Sequence, residues 1–317
     1  MSVPSQHQGR SASKAAIGID VGGTKVALGV VSSDATLSAR RRIANSDLPD
    51  ARALLATVAA ETRDLAEALE DGIDLVGVGV GICELVDLGG EIRSSTSIPW
   101  TRAELLEALG LVAPVTLEPD VRVAALAEAR VGAGRRYPSF VYLTVGTGIS
   151  HCLVDGRVPY PGSHGIAQLI GSSRVTLPCP DGSSLTAVAL EEVAAGPPLM
   201  RRYNERAHAG VVAAEEVLER AHAGDRVAAL VVGEAATVLG SFVALLVNVL
   251  DPAGVVVGGG LGSAPGLYWE TMVATARVAV WSEVARRVPI VPAELGADAG
   301  VVGAGLAALL QSERVLA

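Results

Sequence analysis

The sequence predicts an α/β fold with at least two sheets, and three observations support this prediction. The chain has 317 residues, which is enough for about two domains of ordinary size, each with its own core. Segments with the pattern of strands alternate with segments that have helical periodicity. Glycine-rich turns follow strands at three separate places, at residues 22–23, 146–148 and 258–260. We expect a ligand to bind in a cleft between the two halves.

The first half begins with a strand, a tight turn and a second strand within residues 16–31. Apolar residues at three- and four-residue spacing predict a helix over 54–69, and a buried strand follows over 75–82. A short helix is predicted over 102–109, with Thr101 as its N-cap.

The rest of the chain is predicted to alternate in the same way. In chain order we expect a strand over 113–117, a helix over 121–131, strands over 140–145 and 149–154, helices over 185–195, 213–223 and 227–250, a strand over 254–257 and a helix over 300–311. The stretch 227–250 is the most apolar of the chain, but polar residues such as Glu234 and Asn248 interrupt it. A buried helix is therefore favoured over a membrane span, and we expect no membrane partner.

The composition excludes several classes of protein. With 50% hydrophobic and 19% charged residues the chain is globular rather than disordered. Its net charge of −9 is a poor match for nucleic acid, and 3% aromatic residues are too few for stacking bases. Three widely spaced cysteines argue against a disulfide framework and for a cytoplasmic location. The polar residues 1–14 predict a disordered leader rather than a secretory signal.

The turn after the first predicted strand has residue types that suit a phosphate group. Gly22 and Gly23 let backbone N–H groups approach an anion closely, and Thr24 adds a hydroxyl donor. Asp20, at the end of the strand, can hold Mg²⁺ through water. The turn at 146–148 repeats this design in the second half, and the glycines 258–260 close a third strand. Each turn alone is weak evidence, because glycine pairs also mark ordinary hairpins.

The order of the motifs is more specific than any one of them. It reads DVGGTK, then LEPD, LTVGTG and LDPAGVVVGGGL. This order resembles that of the actin-like ATPase sugar kinases, and in detail the chain resembles the ROK family (repressors, open reading frames and kinases) over about residues 15–310. The resemblance implies a two-domain actin-like ATPase (ribonuclease H-like) fold with an interdomain cleft.

The same resemblance gives the expected domains. A small N-terminal α/β domain covers 15–118, a large C-terminal α/β domain covers 119–298, and the last helix, over 299–317, packs back on the small domain. Many ROK repressors carry an N-terminal helix-turn-helix domain. Because the first phosphate turn begins at Asp20, we expect no such domain here, and the kinase branch is favoured. Since ROK proteins are often dimers, we expect a homodimer.

The resemblance also implies ATP and Mg²⁺ as cofactors. The cofactor-binding residues that it implies are Asp20, Gly22, Gly23, Thr24, Lys25, Thr147, Gly148, Gly259 and Gly260, the last two near the adenosine.

Asp120 follows a predicted strand and opens a helix. From the residues alone, a carboxylate at such a junction is either a helix N-cap or a catalytic group. The resemblance aligns it with the general base of the family, which orients the acceptor hydroxyl and takes its proton as the bond to phosphorus forms. With phosphate turns on both sides of it in the sequence, the catalytic interpretation is favoured.

The sequence departs from the family where the sugar would bind. Pro119 stands where ROK hexokinases usually have Asn, Glu84 replaces a Gly, and Ser97 replaces another Asn. Glu191 is retained, and a sugar contact is favoured over a solvated helix carboxylate. The substrate-binding residues that we expect are Glu84, Ser97, Asp120, Gln168 and Glu191.

A second departure lies in the family's GAAGEIGH motif. Leu169 stands at the Glu and Ser172 at the His, whereas a one-residue slip would put Gln168 at the Glu. A glucose hydroxyl that faced Leu169 would be left unpaired, which costs about 10- to 150-fold in binding. Glucose is therefore expected to be a poor substrate.

The family's structural zinc site is also expected to be missing. That site uses the same His with three Cys. Here Ser172 replaces the His, Cys179 remains, and Asp181 and Ala189 stand at the other two positions. One thiol and at best one carboxylate cannot build a closed tetrahedral site. We therefore predict that the chain binds no zinc and has no other structural metal site.

Together the motifs predict a retained kinase centre with an altered ring pocket. The favoured substrate is a C7-cyclitol of the valiolone type, from a natural-product pathway of the antibiotic kind, phosphorylated at its exocyclic primary hydroxyl. The alternatives are a kanosamine-type amino sugar, whose amine could pair with Glu84, and glucose. A non-catalytic ROK sugar sensor is disfavoured, because Asp120 and the phosphate turns are intact. We expect the domains to close over the ring and exclude water.

Overall fold

The structure, a computed structural model, describes residues 13–178 and 184–316. Within these residues two five-stranded sheets and a two-stranded ribbon form, with helices around them. The small-domain strands are β1 Ser13–Val21, β2 Lys25–Ser32, β3 Leu37–Ala44, β4 Ile73–Ile82 and β5 Val115–Pro119. The large-domain strands are β6 Ser139–Val145, β7 Ile149–Asp155, β8 Val158–Pro159, β11 Val255–Gly258 and β12 Ile290–Pro292, and the ribbon is β9 Arg174–Pro178 with β10 Leu185–Ala189.

The two large sheets share one topology. The small-domain sheet has the order β3-β2-β1-β4-β5, and the large-domain sheet has the order β12-β11-β6-β7-β8. In each, three consecutive strands pair antiparallel, and the first of them pairs parallel with the fourth, which pairs parallel with the fifth. The turn between β1 and β2 therefore corresponds to the turn between β6 and β7. This is the α/β architecture with two halves that the sequence predicted.

The helices cover the sheets and link them. They are α1 Ala51–Glu67, α2 Arg102–Leu109, α3 Asp120–Arg130, α4 Glu191–Ala194, α5 Gly196–Ala207, α6 Ala214–His222, α7 Arg226–Leu250, α8 Leu267–Ala279 and α9 Ala299–Leu316. The N-cap predicted for α2 is confirmed, because the Thr101 side chain accepts from Glu104 N while Glu104 accepts from Thr101 N.

The last helix, α9, packs on the small-domain sheet through glycines. A Cβ on Gly18 of β1 would lie 2.0 Å from the carbonyl oxygen of Val301, and one on Gly79 of β4 would lie 1.8 Å from that of Ala304. On α9 itself, a Cβ at Gly303 would lie 1.8 Å from the carbonyl oxygen of Val123 in α3. The backbone of α9 is therefore in direct contact with the backbones of β1, β4 and α3, and this contact fixes α9 between the sheet and α3.

The long helix α7 forms the core of the large domain, as predicted. Asp225 caps it by accepting from Val227 N and Ala228 N, and its buried face includes Val232, Leu239 and Val243. Within the part of the chain that the structure describes, α7 is the one helix long and apolar enough to cross a membrane by length and composition alone. Its buried residues pack in the main core cluster of the large domain.

One predicted element is wrong, and several elements of the structure were not predicted. The helix predicted over 185–195 is wrong: residues 185–189 pair with β9 as a largely exposed ribbon strand, and only the short α4 is helical. Helices α5 and α8 were not predicted; α5 opens with Pro197 and Pro198, which signal a turn but also fit the first turn of a helix. The arginine-rich β3 is an exposed edge strand.

The first strand also begins earlier than expected. Ser13 and Lys14 belong to β1 rather than to a leader, because Ser13 N donates to Gly72 O and both residues pair in register with β4. Residues 1–12 lie outside the described residues.

Candidate active site

A cleft of about 730 Å³ lies between the two domains. Most of the predicted site residues line it together. They are Asp20, Gly22, Gly23, Thr24, Lys25, Glu84, Ser97, Asp120, Thr147, Gly148, Gln168 and Glu191. Two predicted cofactor residues, Gly259 and Gly260, are not among the residues that line it.

Asp20 and Asp120 meet because their strands run parallel. Asp20 pairs with Gly81 near the carboxyl end of β4, and β4 pairs in turn with β5, which delivers Asp120 one residue past its end. Gly81 leaves the space for this arrangement, since a Cβ there would lie 2.6 Å from the Val123 side chain. Both carboxylates therefore reach the cleft from the edge where parallel strands end.

The two carboxylates have raised pKa values. Burial raises the pKa of Asp20 to about 6, and the positive charge of Lys25 only partly opposes this. Burial also raises the pKa of Asp120 to about 7, and the negative charge of Asp20 adds to the effect. Val121 N donates to Asp120 Oδ1 at 2.6 Å and favours the ionised form. Two buried carboxylates with raised pKa values fit a site that receives cations or takes up a proton.

The turn between β1 and β2 is held in shape from outside. Gly22 N donates to Lys25 O at 3.0 Å and closes the turn. Asn45, just after β3, donates from its side chain to Gly22 O at 3.0 Å and from its backbone to Thr24 O at 2.9 Å. The carbonyl oxygens of the turn therefore accept hydrogen bonds from within the protein, while Gly23, Thr24 and Lys25 are exposed toward the cleft. The sequence analysis missed Asn45, because the strand before it had not been predicted.

The turn between β6 and β7 has the same form. Gly146 N donates to Gly148 O at 3.0 Å, which leaves Thr147 exposed at the tip. Glu191, at the start of α4, lies beside this turn and accepts from Ile149 N at 3.4 Å. A Cβ on Gly171 would lie 2.9 Å from the Glu191 carboxylate, so that glycine makes room for it.

The third glycine segment supports the second turn. Gly259 has a φ of +81°, and a Cβ there would lie 2.2 Å from Val145 O, so only glycine fits. Leu261 N and Gly262 N both donate to the same Val145 oxygen. Gly259 and Gly260 thus lie next to the β6–β7 turn at the end of β11, outside the cleft lining.

Glu84 has a different role from the one expected. It is 2% exposed, and within the described residues its carboxylate accepts hydrogen bonds from the segment 94–98 alone. Oε1 accepts from Ser97 N at 2.6 Å and from Ile98 N at 2.9 Å, while Oε2 accepts from Thr96 N at 3.0 Å and from the Ser94 hydroxyl. Burial would raise the pKa of Glu84, but these hydrogen bonds outweigh it and keep the pKa below its usual range.

This geometry corrects the expectation that Glu84 pairs with a substrate amine. A carboxylate has about four lone-pair positions, and protein donors already occupy them. Glu84 instead fixes the segment 94–98, whose Ser97 is exposed to the cleft.

Another part of the cleft wall comes from residues 168–172. Gln168 is 7% exposed, and its backbone is engaged with His151 N at 3.3 Å and Ile166 O at 2.8 Å. Its side-chain amide makes no hydrogen bond to the residues that the structure describes, and it faces the cleft. Leu169 also lines the cleft and is 43% exposed, and Ser172 follows one turn later. The cleft therefore has an apolar surface between polar groups.

Two groups of cleft-lining residues are named by the role expected of them. The phosphate end denotes Asp20, Asp120 and the turns 22–25 and 146–148, and the ring end denotes the segment 94–98, residues 168–172 and Glu191. The two groups adjoin, because a Cβ on Gly23 would lie 3.4 Å from the Ser97 side chain and one on Gly148 would lie 3.3 Å from the Glu191 carboxylate. Arg42 of β3 also lines the cleft, a cation that the sequence analysis did not single out.

The phosphate end fits a magnesium ion. Mg²⁺ keeps several waters and takes one or two carboxylates together with substrate phosphates. Asp20 accepts no hydrogen bond from residues 13–178 and 184–316, and its pKa is raised, so its oxygens are available to a cation. No group of three or more His, Cys, Asp or Glu side chains that could hold a metal occurs within the described residues. Cys179 and Asp181, on which the zinc prediction rests, lie outside them, so that prediction stays open.

A two-domain α/β protein with paired carboxylates and corresponding glycine turns across a cleft belongs to the actin-like ATPase fold. The ROK family model matches residues 16–313, and the chain belongs to the ROK family.

Known proteins resemble the chain over most of its length. A glucokinase from Streptomyces coelicolor is 28% identical over 316 residues, covering 91% of this chain and 95% of that protein. The crystal structure of a ROK family glucokinase from Streptomyces griseus, in complex with glucose and AMPPNP, is 28% identical with a TM-score of 0.77, covering 92% of this chain and 98% of that one. A kanosamine kinase from Amycolatopsis mediterranei is 35% identical over 156 residues, 46% of this chain and 48% of that protein.

Proposed function

We propose that this protein is an ATP-dependent kinase that phosphorylates the exocyclic primary hydroxyl of a glucose-like ring. The observation that carries the proposal is the meeting of Asp20, Asp120 and two glycine turns in one cleft. Two relatives that cover more than 90% of the chain are glucokinases, and one of them was crystallised with an ATP analogue and glucose.

In this proposal Asp120 is the general base. Its carboxylate orients the acceptor hydroxyl and accepts the proton as that oxygen bonds to phosphorus. Thr24, Thr147 and the backbone N–H groups of both turns bind the phosphates, and Lys25 adds positive charge. A Mg²⁺ ion held through Asp20 would neutralise charge on the phosphates. Little else is required of the protein, because phosphoryl transfer depends mainly on position and electrostatics.

The ring end favours a C7-cyclitol as the substrate. Leu169 offers no partner to a hydroxyl, so a ring that lacks an anomeric hydroxyl loses less here than glucose does. The hydrogen bonds of Glu84 remove the residue that was expected to hold an amine. Kanosamine remains the alternative, supported by the kanosamine kinase relative and by Glu191, a carboxylate that still faces the cleft.

A coupled assay of ADP release tests the proposal. A valiolone-type cyclitol, kanosamine and glucose are offered with Mg²⁺-ATP at equal concentrations. We expect kcat/KM to be highest for the cyclitol and lowest for glucose. If kcat/KM is highest for kanosamine, the amino sugar and not the cyclitol is the substrate. If no polyol stimulates ADP release, the kinase proposal fails and a non-catalytic sugar sensor takes its place.

We also propose that the protein forms a homodimer through the large domain. Asn248 near the end of α7 accepts from Trp281 N and donates to Ala279 O, which brings the ends of α7 and α8 together. Val249, Val278 and Trp281 are exposed there, Trp281 by 89%. An exposed apolar surface of this kind marks a contact with another protein. Light scattering should show a dimer that Trp281→Ser converts to a monomer, while Leu111→Ser, an exposed leucine elsewhere, leaves it intact.

A further inference from the structure

A second cavity, of about 430 Å³, lies apart from the cleft. It is open to solvent on one side and is lined by β5 and residues 87–90 of the small domain, by α3 and α9, and by residues 157–161 of the large domain. It shares no lining residue with the active-site cleft. Its volume lies within the range of about 300 to 1,000 Å³ that small-molecule sites have.

Arginines from three separate elements line this cavity. Arg130 ends α3, Arg157 lies in the turn between β7 and β8, and Arg314 lies in the last turns of α9. None of the three forms an ion pair with the residues described, 13–178 and 184–316. All three arginines are exposed, and they bring three positive charges to one cavity of a chain whose net charge is −9.

The carboxylates of the cavity do not neutralise these arginines. Asp87 forms an ion pair with Arg93 at 2.6 Å and accepts backbone N–H groups from its own turn. Glu118 of β5 is paired with Arg122, four residues further along in α3. The charge of Arg130, Arg157 and Arg314 is therefore left for a ligand.

The conformation of Arg157 is a second, independent observation. Its φ is +66°, directly after Gly156 with a φ of +54°. A two-residue turn with both φ values positive is normally occupied by glycine or asparagine, because other side chains are strained there. The turn keeps an arginine at a position where glycine would relieve strain, and that arginine lines the cavity.

The rest of the wall is apolar. Leu117, Leu126 and Leu310 line the cavity, and the rim includes Leu88 and Val158, which are 61% and 54% exposed. Such a wall favours a ligand that carries an apolar group beside its anion.

We propose that this cavity is a second ligand site, for a small organic phosphate ester with an apolar group, held between the two domains by Arg130, Arg157 and Arg314. Arginine presents a planar fork of donors that matches phosphate oxygens. The site is independent of the kinase function proposed above, and its test does not use activity.

Isothermal titration with phenyl phosphate, an aromatic phosphate ester, tests this site. The triple variant Arg130→Gln, Arg157→Gln, Arg314→Gln is expected to bind the probe at least about tenfold more weakly than the wild type. The matched control replaces three exposed arginines elsewhere, Arg52→Gln, Arg63→Gln and Arg226→Gln, and should bind as the wild type does. Equal affinity of the triple variant and the control, or no binding to the wild type, overturns the proposal.

Three further measurements make the result specific. Arg157→Gly relieves the strain of the turn, so it should raise the melting temperature of the protein and lower its affinity for phenyl phosphate. An unchanged affinity would contradict the proposal. Inorganic phosphate should bind more weakly than phenyl phosphate, and equal binding would exclude the apolar contact. The double variant Lys25→Gln, Arg42→Gln removes cations of the cleft and should leave binding unchanged. A tenfold loss there would place the probe in the cleft instead.

Discussion

The two ends of the cleft differ in how their polar groups are used. At the phosphate end, Asp20 and Asp120 face the cleft with raised pKa values, and the turns present exposed N–H and hydroxyl groups. At the ring end, both oxygens of the Glu84 carboxylate accept hydrogen bonds from the segment 94–98, and Leu169 presents an apolar surface. The polar groups of the phosphate end are available to a ligand, whereas much of the ring end is stabilised by hydrogen bonds within the protein.

The difference shows how a kinase centre and its specificity can vary separately. The phosphate end depends on strand ends and tight turns that the repeated topology positions in both domains. The ring end depends on irregular segments, 94–98 and 168–172, which can change without disturbing the sheets. The predictions below test each end in turn.

Asp120→Asn is expected to have the largest effect. Without a base at this position kcat should fall by about 100- to 10,000-fold, while nucleotide binding, measured by titration with AMPPNP, should change little. Asn keeps the size and shape of the side chain, so a loss of turnover reports on the charge. Full activity of this variant would show that another group takes the proton.

Leu169→Glu tests the ring end. A carboxylate at this position can pair with a sugar hydroxyl, so kcat/KM for glucose should rise by about 10- to 100-fold, and the preference for the cyclitol should shrink. Leu169→Met, which keeps the wall apolar, serves as the control. If glucose turnover does not change, residue 169 does not face the ring and the substrate argument loses its main support.

The phosphate end could be predicted from the sequence, whereas half of the ring end could not. Asp20, Gly22, Thr147 and Asp120 lie next to strand ends, and a strand followed by a glycine turn is visible in the residues themselves. The partners of Glu84 lie ten to fourteen residues further along in a segment without regular structure, and no periodicity reveals them. The ribbon strand at 185–189 was missed for a related reason: its register comes from pairing with β9 and not from burial.

The pH dependence follows from the raised pKa of Asp120. In the free enzyme the base must be ionised, so kcat/KM should fall about tenfold for each pH unit below 7 and level off above it. Stability has the opposite pH dependence. Because the folded pKa exceeds the unfolded value of 3.8, the free energy of unfolding falls as the pH rises from about 4 to about 7 and is constant above that. Asp120→Asn should therefore melt at a higher temperature than the wild type at pH 8, and the difference should shrink toward pH 5. A difference that is independent of pH would contradict the shift.

Glu84→Gln separates a structural role from a substrate contact. The amide loses the charge that Ser97 N and Ile98 N contact, so the free energy of unfolding in urea should fall by about 1–3 kcal/mol. The KM should rise for every ring to a similar degree. Glu91→Gln, an exposed carboxylate 3.6 Å from Arg102, is the control and should change neither quantity. A loss confined to amino sugars would instead restore Glu84 as an amine partner.

Arg42→Gln should have the smallest effect, and it tests whether Arg42 belongs to the phosphate end. Arg42 lines the cleft from an exposed edge strand, so its attraction for the nucleotide acts largely through water. The KM for ATP should rise about two- to fivefold at low salt, and the difference should vanish near 1 M salt because screening removes the attraction. Arg41 is the control, since it is the next residue on the same strand but pairs with Glu61 at 3.5 Å. An equal rise in KM for Arg41→Gln would mean that only the net charge matters, and Arg42 would then not belong to the site.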